Sequence, residues 1–206
     1  MKHPLEPAAF AEAVAADPNQ MERLHTYLAL LRRWQSRINL VGPKTLADPW
    51  RRHFLDSAQL LPLIPPAVTR LVDLGSGAGF PGLVLAILCD VPVTLVEADQ
   101  RKCAFLLEAA RATTTAVEVL PARIESIAPA HADVVTARAL APLARLIGYA
   151  VNWLAPNGIC LFLKGRSAAD ELTEAQKNWK MQVSSVFSRS DDAAMILRID
   201  RIFPRS

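Results

Sequence analysis

The chain has 206 residues, of which 51% are hydrophobic and 21% are charged, so it can bury a sizeable core and global disorder is not expected. Its formal net charge of +3 is too small an excess to indicate nucleic-acid binding by itself. Three distant cysteines without a Cys-x-x-Cys pair indicate a reducing, cytoplasmic compartment, and the spacing of the four histidines predicts no metal site.

The first 66 residues have helical patterns. Asp17 and Pro18 form a helix start signal, a capping side chain followed by a first-turn proline. A single apolar face of about 20 residues follows, made of Met21, Leu24, Tyr27, Leu28, Leu31, Trp34 and Ile38. A second helix is predicted over 49–61, and three prolines over 62–66 form a linker. We therefore predict an N-terminal helical extension over 1–66 and a second domain over 67–206.

From residue 67 the pattern alternates between strands and helices. Strands are predicted over 70–74, 93–96, 117–120, 132–136, 159–164, 182–187 and 194–202. Helices are predicted after Gly82 and over 101–111, 141–154 and 168–178. This alternation is typical of an α/β fold with a parallel sheet covered on both faces. The last two strands lack an intervening helix, which predicts an antiparallel hairpin at one edge, as in the methyltransferase variant of the doubly wound fold.

The strongest local signal is a glycine-rich loop after the first strand, where residues 71–82 are LVDLGSGAGFPG. A dinucleotide fingerprint fails by one residue, because Phe80 stands where the third glycine is required, and a P-loop lacks its lysine. The remaining pattern is Asp-x-Gly-x-Gly-x-Gly, with Asp73 before the loop and Gly75 and Gly77 within it. An acid there disfavours a pyrophosphate and suits a cationic ligand such as S-adenosylmethionine. A tight turn without a ligand is the alternative.

Glu97 supports a ligand at this loop. It ends the second predicted strand, 22 positions after Gly75. In doubly wound sheets this position places a carboxylate on the ribose hydroxyls of a bound nucleoside. The loop and the two flanking acids together therefore favour a nucleoside-containing ligand.

At this point the chain resembles a known family, RsmG (also called GidB), the bacterial 16S rRNA guanine-7 N-methyltransferases. The glycine loop alone would fit many methyltransferases, whereas the HFLDS segment at 53–57 and the GFPG ending at 79–82 make the match specific. The resemblance covers nearly the whole chain and rests on residues 33–40, 52–57, 72–82, 123–125, 138–139 and 163–165.

The resemblance implies a class I S-adenosylmethionine-methyltransferase (Rossmann-like) fold with a seven-stranded, mostly parallel sheet. It implies S-adenosylmethionine as methyl donor, S-adenosylhomocysteine as product and no metal. The donor site it implies comprises Gly75, Gly77, Phe80, Glu97, Ile124, Glu125 and Arg138, to which the loop pattern adds Asp73. The implied partner is 16S rRNA within the small ribosomal subunit or an assembly intermediate. Family members also carry Asp in place of Glu97, which is a mild departure.

The expected chemistry requires no general base, because nitrogen 7 of guanine already has a free lone pair at neutral pH. Catalysis can then come from positioning. The sequence lacks the Asn-Pro-Pro-aromatic motif of enzymes that methylate exocyclic amines, and it lacks the Pro-Cys nucleophile of cytosine-5 enzymes. We assign positioning roles to Arg138, at the end of the fourth strand, and to His53. A surface ion pair is the alternative for Arg138, and helix packing is the alternative for His53.

Basic residues are concentrated between positions 32 and 52, where six stand against one acid. Such a cluster suits phosphate contacts and predicts salt-sensitive binding, although an ordinary solvated helix face is the alternative. Lys164 follows the fifth strand and is placed to contact a phosphate. The RNA-binding candidates are Arg33, Arg37, Arg52, Arg101 and Lys164.

Two other functions share the same donor site. The chain could methylate a small molecule or a protein, in which case the basic N-terminal segment would be dispensable. It could also be a nucleotide-binding module that has lost methyl transfer. We further expect a monomer without a membrane segment, because no apolar patch requires a dimer and no apolar run reaches about 20 residues.

Overall fold

The computed structural model describes residues 3–89 and 91–205, and its first part is helical. Helix α1 spans Pro7–Val14 and α2 spans Pro18–Gln35. A 3-10 turn at Pro43–Ala47 leads to a π-helix at Trp50–Leu55, which continues into the short helix α3 at Asp56–Ala58, and a second 3-10 turn follows at Leu61–Leu63. No helix in the described ranges has the length and apolar character needed to cross a membrane.

The second part alternates between strands and helices. Its elements are β1 (Leu71–Leu74), α4 (Gly82–Leu88), β2 (Val93–Glu97), α5 (Gln100–Ala112), β3 (Val117–Pro121), a 3-10 turn (Ile124–Ser126), β4 (Ala132–Arg138), α6 (Leu143–Ala150), β5 (Leu154–Lys164), α7 (Ala168–Asn178), β6 (Trp179–Phe187) and β7 (Met195–Pro204). The strands form one sheet in the order β3-β2-β1-β4-β5-β7-β6. β7 runs antiparallel to β5 and β6, and all other neighbouring strands are parallel. The predicted seven-stranded, mostly parallel sheet with an antiparallel edge hairpin is confirmed.

The strand order places a crevice beside β1. The chain proceeds from β1 outwards to β2 and β3, then returns to β4 on the other side of β1. Ligands bind at such a switch point, outside the carboxyl ends of the parallel strands. Four of the residues singled out from the sequence lie there, because Gly75 follows β1, Glu97 and Arg138 end β2 and β4, and Lys164 ends β5.

Each face of the sheet has its own apolar core. One core combines strand residues such as Leu71 and Leu95 with the N-terminal region, α4 and α5, and it includes Phe10, Tyr27 and Phe54. The other core packs β1, β4, β5 and β7 against α6 and α7. Because the N-terminal aromatic side chains belong to the same cluster as β1 and β2, the helical region is packed directly on the sheet. The division into units at residue 66 stays a prediction.

The start of α2 is confirmed in detail. The Asp17 carboxylate accepts a hydrogen bond from the backbone N–H of Gln20 at 2.8 Å, and the Gln20 side chain accepts one from the N–H of Asp17 at 2.9 Å. This reciprocal capping box satisfies two otherwise unpaired donors of the helix.

Three predicted elements differ from the structure. The helix predicted over 49–61 begins as a π-helix, in which the N–H of Asp56 bonds to the carbonyl of Arg51. The helix predicted over 141–154 ends earlier, since Leu154 already pairs with Ala132 in the sheet. The turn predicted at Asn157 and Gly158 is absorbed into β5, with an irregular register between Ala132 and Val134. Hydrophobic spacing does not distinguish a π-turn from an α-turn, and it could not show where sheet pairing resumes.

Candidate active site at the carboxyl ends of the strands

The glycine loop leaves β1 with a backbone that favours glycine. Gly75 and Gly77 have φ values of 67° and 58°, in the left-handed region. The loop is fixed to the neighbouring strand, because the N–H groups of Gly75 and Ser76 donate to the carbonyl of Val96 at 2.9 and 3.0 Å. The result is a backbone turn at the switch point with no side chain on its two bends.

Glu97 links this loop to the turn after β2. Its Oε2 accepts a hydrogen bond from the N–H of Gly77 at 2.8 Å, and its Oε1 accepts one from the N–H of Asp99 at 2.8 Å. Each carboxylate oxygen can accept a further bond from a ligand hydroxyl. The carboxylate is therefore oriented before any ligand binds.

The sequence suggested that the Asp73 carboxylate faces a ligand, but the structure places it elsewhere. Its side chain is fully buried and lines neither cavity of the site. Oδ1 accepts from the Thr136 hydroxyl at 2.8 Å and Oδ2 from the N–H of Gly82 at 3.3 Å. Burial raises the pKa of this carboxyl to about 6, although these hydrogen bonds oppose the shift. Asp73 thus supports the glycine loop by linking β1 to β4 and to the start of α4.

A stack of aromatic rings from the N-terminal region supports the glycine loop. The Phe80 ring lies 5.2 Å from the Tyr27 ring and 4.9 Å from the His53 ring, near parallel to both. The Tyr27 hydroxyl donates a hydrogen bond to the carbonyl of Ala78. Helix α2 and the π-helix therefore hold the glycine loop from the N-terminal side of the sheet.

The hydrogen bonds around His53 define its protonation state. Burial, followed by the charges of Arg138 and Arg52, lowers the pKa of His53 to about 3, so the ring is neutral at pH 7. Nη1 of Arg138 lies 3.2 Å from Nδ1, and because a guanidinium can only donate, Nδ1 is the acceptor. Nε2 then carries the proton and donates to the Thr45 hydroxyl at 2.7 Å. The Thr45 hydroxyl donates in turn to the carbonyl of Gly42 at 2.6 Å.

Arg138 is held by several groups at once. Besides His53, its Nη1 approaches the carbonyl of Arg52 at 3.3 Å and Oδ2 of Asp56 at 3.4 Å. The guanidinium carbon stands 5.0 Å from the centre of the Phe80 ring, which is within range of a cation–π interaction. These contacts fix an arginine, partly exposed, at the end of β4.

Two adjoining cavities open on either side of this arginine. A cavity of about 360 Å³ lies towards β2, and its lining includes Glu97, Ile124 and Glu125. A cavity of about 480 Å³ lies towards the N-terminal region, and its lining includes His53 and Phe80. We call them the β2-side cavity and the N-terminal cavity. Residues shared by both linings are Gly75, Gly77, Lys102, Arg138 and Ala139.

The structure does not bring all the predicted basic residues to the cavities. Arg33 and Arg101 line neither cavity; Arg33 pairs with Glu108, and the Arg101 guanidinium lies 3.5 Å from the Asp99 carboxylate. Arg37 lies beyond the end of α2, is exposed, and also lines neither.

Arg52 and Lys164 do line the N-terminal cavity, and both have acidic partners. Nη1 of Arg52 lies 2.7 Å from the Asp191 carboxylate. Lys164 is buried; its Nζ lies 2.5 Å from the Glu171 carboxylate and donates to the carbonyl of Ala141 at 2.9 Å. Both cations therefore stand at the cavity wall with a carboxylate partner, Lys164 buried and Arg52 partly exposed. Their roles in RNA binding stay predictions.

Sequence reasoning missed several residues of the site. Thr45 has no local pattern that would mark it, and Asp56 lies in the HFLDS segment but was given no role, because its partner Arg138 is distant in sequence. Lys102 offered a weak signal, because it lies in the first turn of the helix after β2, where a side chain can reach the crevice. The β6–β7 loop contributes Ser190 and Asp191 to the N-terminal cavity, although the sequence marked it only as a hairpin turn. Among the residues the structure describes, no cluster of three metal-ligating side chains occurs.

Comparison with known proteins places the chain among methyltransferases. A family model described as rRNA small subunit methyltransferase G matches residues 20–194. The protein named "Ribosomal RNA small subunit methyltransferase G" from Paramagnetospirillum magneticum is 58% identical over 88% of this chain and 89% of its own length. The protein of the same name from Rhodospirillum rubrum is 57% identical over 96% and 98%.

A solved structure supports the fold. The N-methyltransferase NodS from Bradyrhizobium japonicum, in complex with S-adenosyl-L-homocysteine, aligns with a TM-score of 0.56 and 20% identity, covering 84% of this chain and 96% of that one. At this identity the similarity concerns the fold alone. The predicted class I methyltransferase architecture is confirmed.

Proposed function

Since the chain belongs to the family of rRNA small subunit methyltransferase G, we propose that it transfers a methyl group from S-adenosylmethionine to nitrogen 7 of a guanine in 16S ribosomal RNA. The observation that carries this proposal is the position of the glycine loop and the oriented Glu97 carboxylate. Together they form one wall of a cavity that adjoins a second cavity across Arg138. One cavity suits the donor, and the other suits the target base.

The donor fits the β2-side cavity by the chemistry of its lining. Glu97 presents carboxylate oxygens for ribose hydroxyls, and Ile124 presents an apolar wall for the adenine ring. Gly75 and Gly77 allow the ligand to approach the backbone closely. Glu125, partnered by Tyr149 and Arg145, stands at the exposed rim of this cavity.

When bound, the donor supplies an electrophilic methyl group on its sulfonium. The protein's part is to align that group with the attacking nitrogen. We assign this alignment to the boundary between the two cavities, where Gly77, Arg138 and Ala139 line both. Positioning of this kind can provide much of the rate enhancement in a bimolecular transfer.

The target site needs no group that removes a proton before attack. The histidine at the site fits this requirement, because His53 is neutral and its Nδ1 lone pair is occupied by Arg138. We therefore assign His53 a positioning role and assign Arg138 contacts with the donor and the target. Arg52 at the wall of the N-terminal cavity is the RNA contact that the site favours most among the predicted set.

We also propose that the substrate is the small ribosomal subunit or an assembly intermediate, and that the protein acts in the cytoplasm as a monomer. A chain of 206 residues has little surface with which to recognise a long RNA by itself. Recognition of the folded RNA within the subunit or its assembly intermediate would then provide the specificity for one guanine.

Nucleoside analysis in cells tests the proposal. Deletion of the gene should remove one 7-methylguanosine from 16S rRNA, and the wild-type gene should restore it. Arg138→Lys should restore much less, because an ammonium cannot reproduce the planar contacts with Asp56, His53 and the Phe80 ring. Unchanged 7-methylguanosine in the deletion strain would contradict the proposed substrate.

A further inference from the structure

An exposed phenylalanine stands beside the site without a role in the fold. Phe187, the last residue of β6, is 78% exposed, which makes it the most exposed large hydrophobic side chain in the described part of the chain. By contrast, Phe10, Phe54, Phe105 and Phe162 are fully buried. Removing the Phe187 ring would therefore cost the core almost nothing.

The sheet register places Phe187 next to the N-terminal cavity. Lys164 of β5 pairs with Met195 of β7, and Met195 pairs with Phe187 of β6. Lys164 and Met195 both line the cavity. Neighbouring strands are about 4.8 Å apart, so the backbone of Phe187 lies roughly 10 Å from that of Lys164. Residues paired across strands project to the same face, so this row leads from the cavity wall out to an exposed aromatic ring.

The loop that follows Phe187 is firmly attached to the site. The Arg189 N–H donates to the Gln59 side chain at 2.8 Å, and the Ser190 hydroxyl donates to Asp56, which itself contacts Arg138. Asp191 pairs with Arg52. These bonds hold the end of β6 in a defined position relative to Arg138.

Two exposed arginines lie on the segments that follow Phe187 and Lys164, and the Arg189 guanidinium contacts the carbonyl of Ala13 at 3.5 Å. Arg189 lies two residues after Phe187, and Arg166 lies two residues after Lys164. The pKa of Asp191 is lowered chiefly by its hydrogen bond from Arg52 and in smaller part by the charge of Arg166, which places Arg166 near the same loop. An aromatic ring with arginines around it is suited to an unpaired stretch of nucleic acid, in which bases stack and phosphates need cations.

We propose that Phe187 is a stacking platform for an unpaired base next to the target guanine, and that Arg166 and Arg189 contact the adjoining phosphates. The inference rests on the proposed function and specifies how the RNA is held. A guanine that enters the N-terminal cavity must leave its own stack, so its neighbour also loses a stacking partner. The Phe187 ring lies where it can replace that partner.

Steady-state kinetics of three variants test the proposal. With unmodified small subunits as substrate, Phe187→Ala should raise KM about fivefold or more and leave the affinity for S-adenosylhomocysteine unchanged, because the stacking of one base on an aromatic ring is lost. Phe187→Trp should retain the wild-type KM. Phe203→Ala is the matched control, since Phe203 is also exposed on the same hairpin but pairs with Lys180 at the opposite end of its strands. Its KM should not change.

A KM for Phe187→Ala within twofold of wild type would overturn the proposal, as would an equal rise for Phe203→Ala. Photocrosslinking separates RNA from protein as the partner. With p-benzoylphenylalanine in place of Phe187, illumination with small subunits should attach the enzyme to 16S rRNA, and attachment only to ribosomal protein would overturn the proposal. Failure of the proposed function is a different result, in which the wild-type enzyme forms no 7-methylguanosine.

Discussion

At the level of single residues, Arg138 is the centre of the contacts in the candidate site. Its guanidinium meets His53, Asp56 and the Phe80 ring, and each of these comes from a segment that was not predicted to contact it. His53 receives a hydrogen bond from Arg138 and passes one on to Thr45. All donors in this series point away from Arg138, so the arginine orients the histidine and the histidine steadies the arginine.

Thr45 accepts a hydrogen bond from Nε2 of His53, in the tautomer that the Arg138 donor imposes. Thr45→Val removes the acceptor of the Nε2 proton while keeping the shape of the side chain. We expect kcat to fall about fivefold, the value of one lost hydrogen bond, with donor affinity unchanged. Thr45→Ser should restore kcat. In the wild-type protein, ¹⁵N NMR should show Nδ1 of His53 unprotonated and Nε2 protonated at pH 7. A protonated Nδ1 would contradict this arrangement.

Burial of His53 predicts a dependence of stability on pH. Its pKa is about 3 in the folded state and 6.5 when unperturbed, so between these values the unfolded chain binds more protons. This contribution to stability is present above pH 6.5 and is lost as the pH falls towards 3. Asp73, with its pKa raised to about 6, contributes in the opposite sense, and its contribution is lost as the pH rises from 3.8 to 6.

Comparison of the wild type with His53→Gln isolates the histidine. The free energy of unfolding of the wild type relative to the variant should decrease on the order of 3 kcal/mol between pH 7 and pH 4. Urea denaturation at several pH values measures it. A difference that stays constant across this range would mean that His53 is not buried in its neutral form.

Glu97 gives the most direct prediction for the donor site. In Glu97→Gln, one carboxylate oxygen becomes an NH₂ group that faces a backbone N–H, either of Gly77 or of Asp99. One of these bonds must be lost, and the ribose loses an acceptor. We expect the affinity for S-adenosylhomocysteine, measured by calorimetry, to fall tenfold or more. Glu118→Gln on β3, outside both cavities, is the control and should bind as the wild type does.

At the level of secondary-structure elements, the N-terminal helices support the glycine loop. Tyr27 of α2 places its hydroxyl on the carbonyl of Ala78 and its ring on Phe80. The π-helix contributes His53, whose ring also stacks with Phe80. The helical region is thus coupled to the donor site as well as to the proposed RNA site.

Tyr27→Phe tests this coupling. The variant keeps the ring and leaves the buried Ala78 carbonyl without its hydroxyl donor. We expect the free energy of unfolding to fall by about 1–2 kcal/mol and the affinity for S-adenosylhomocysteine to fall severalfold. Thermal denaturation and calorimetry measure the two quantities. Unchanged donor affinity would show that α2 supports the fold without affecting the loop.

The elements also show what the sequence could predict. The strands and the capping box of α2 were predictable, because alternating buried segments and capping residues are local signals. The π-helix and the position of Asp56 were not, since both depend on contacts with β4 and the β6–β7 loop that are distant in sequence. Asp73 illustrates the same point, because its place before the glycine loop was clear but its burial depended on Thr136.

At the scale of the whole molecule, the basic residues are less concentrated than their sequence positions suggested. Arg33 pairs with Glu108 away from both cavities, and Lys164 is buried beside Glu171 at the cavity wall, whereas Arg52 and Arg138 are partly exposed at the cavities. We therefore propose that the RNA-facing surface centres on the N-terminal cavity and the β6–β7 loop, not on α2. Charge reversal at Arg52 should raise KM for small subunits more than charge reversal at Arg33, when both are measured at the same salt concentration.

The central claim is tested by methyl transfer from labelled S-adenosylmethionine to unmodified small ribosomal subunits, followed by digestion to nucleosides and mass spectrometry. We expect the label to appear in 7-methylguanosine, and Arg138→Lys to incorporate far less of it. Label in any other nucleoside, or no label from a protein that binds S-adenosylhomocysteine, would contradict it.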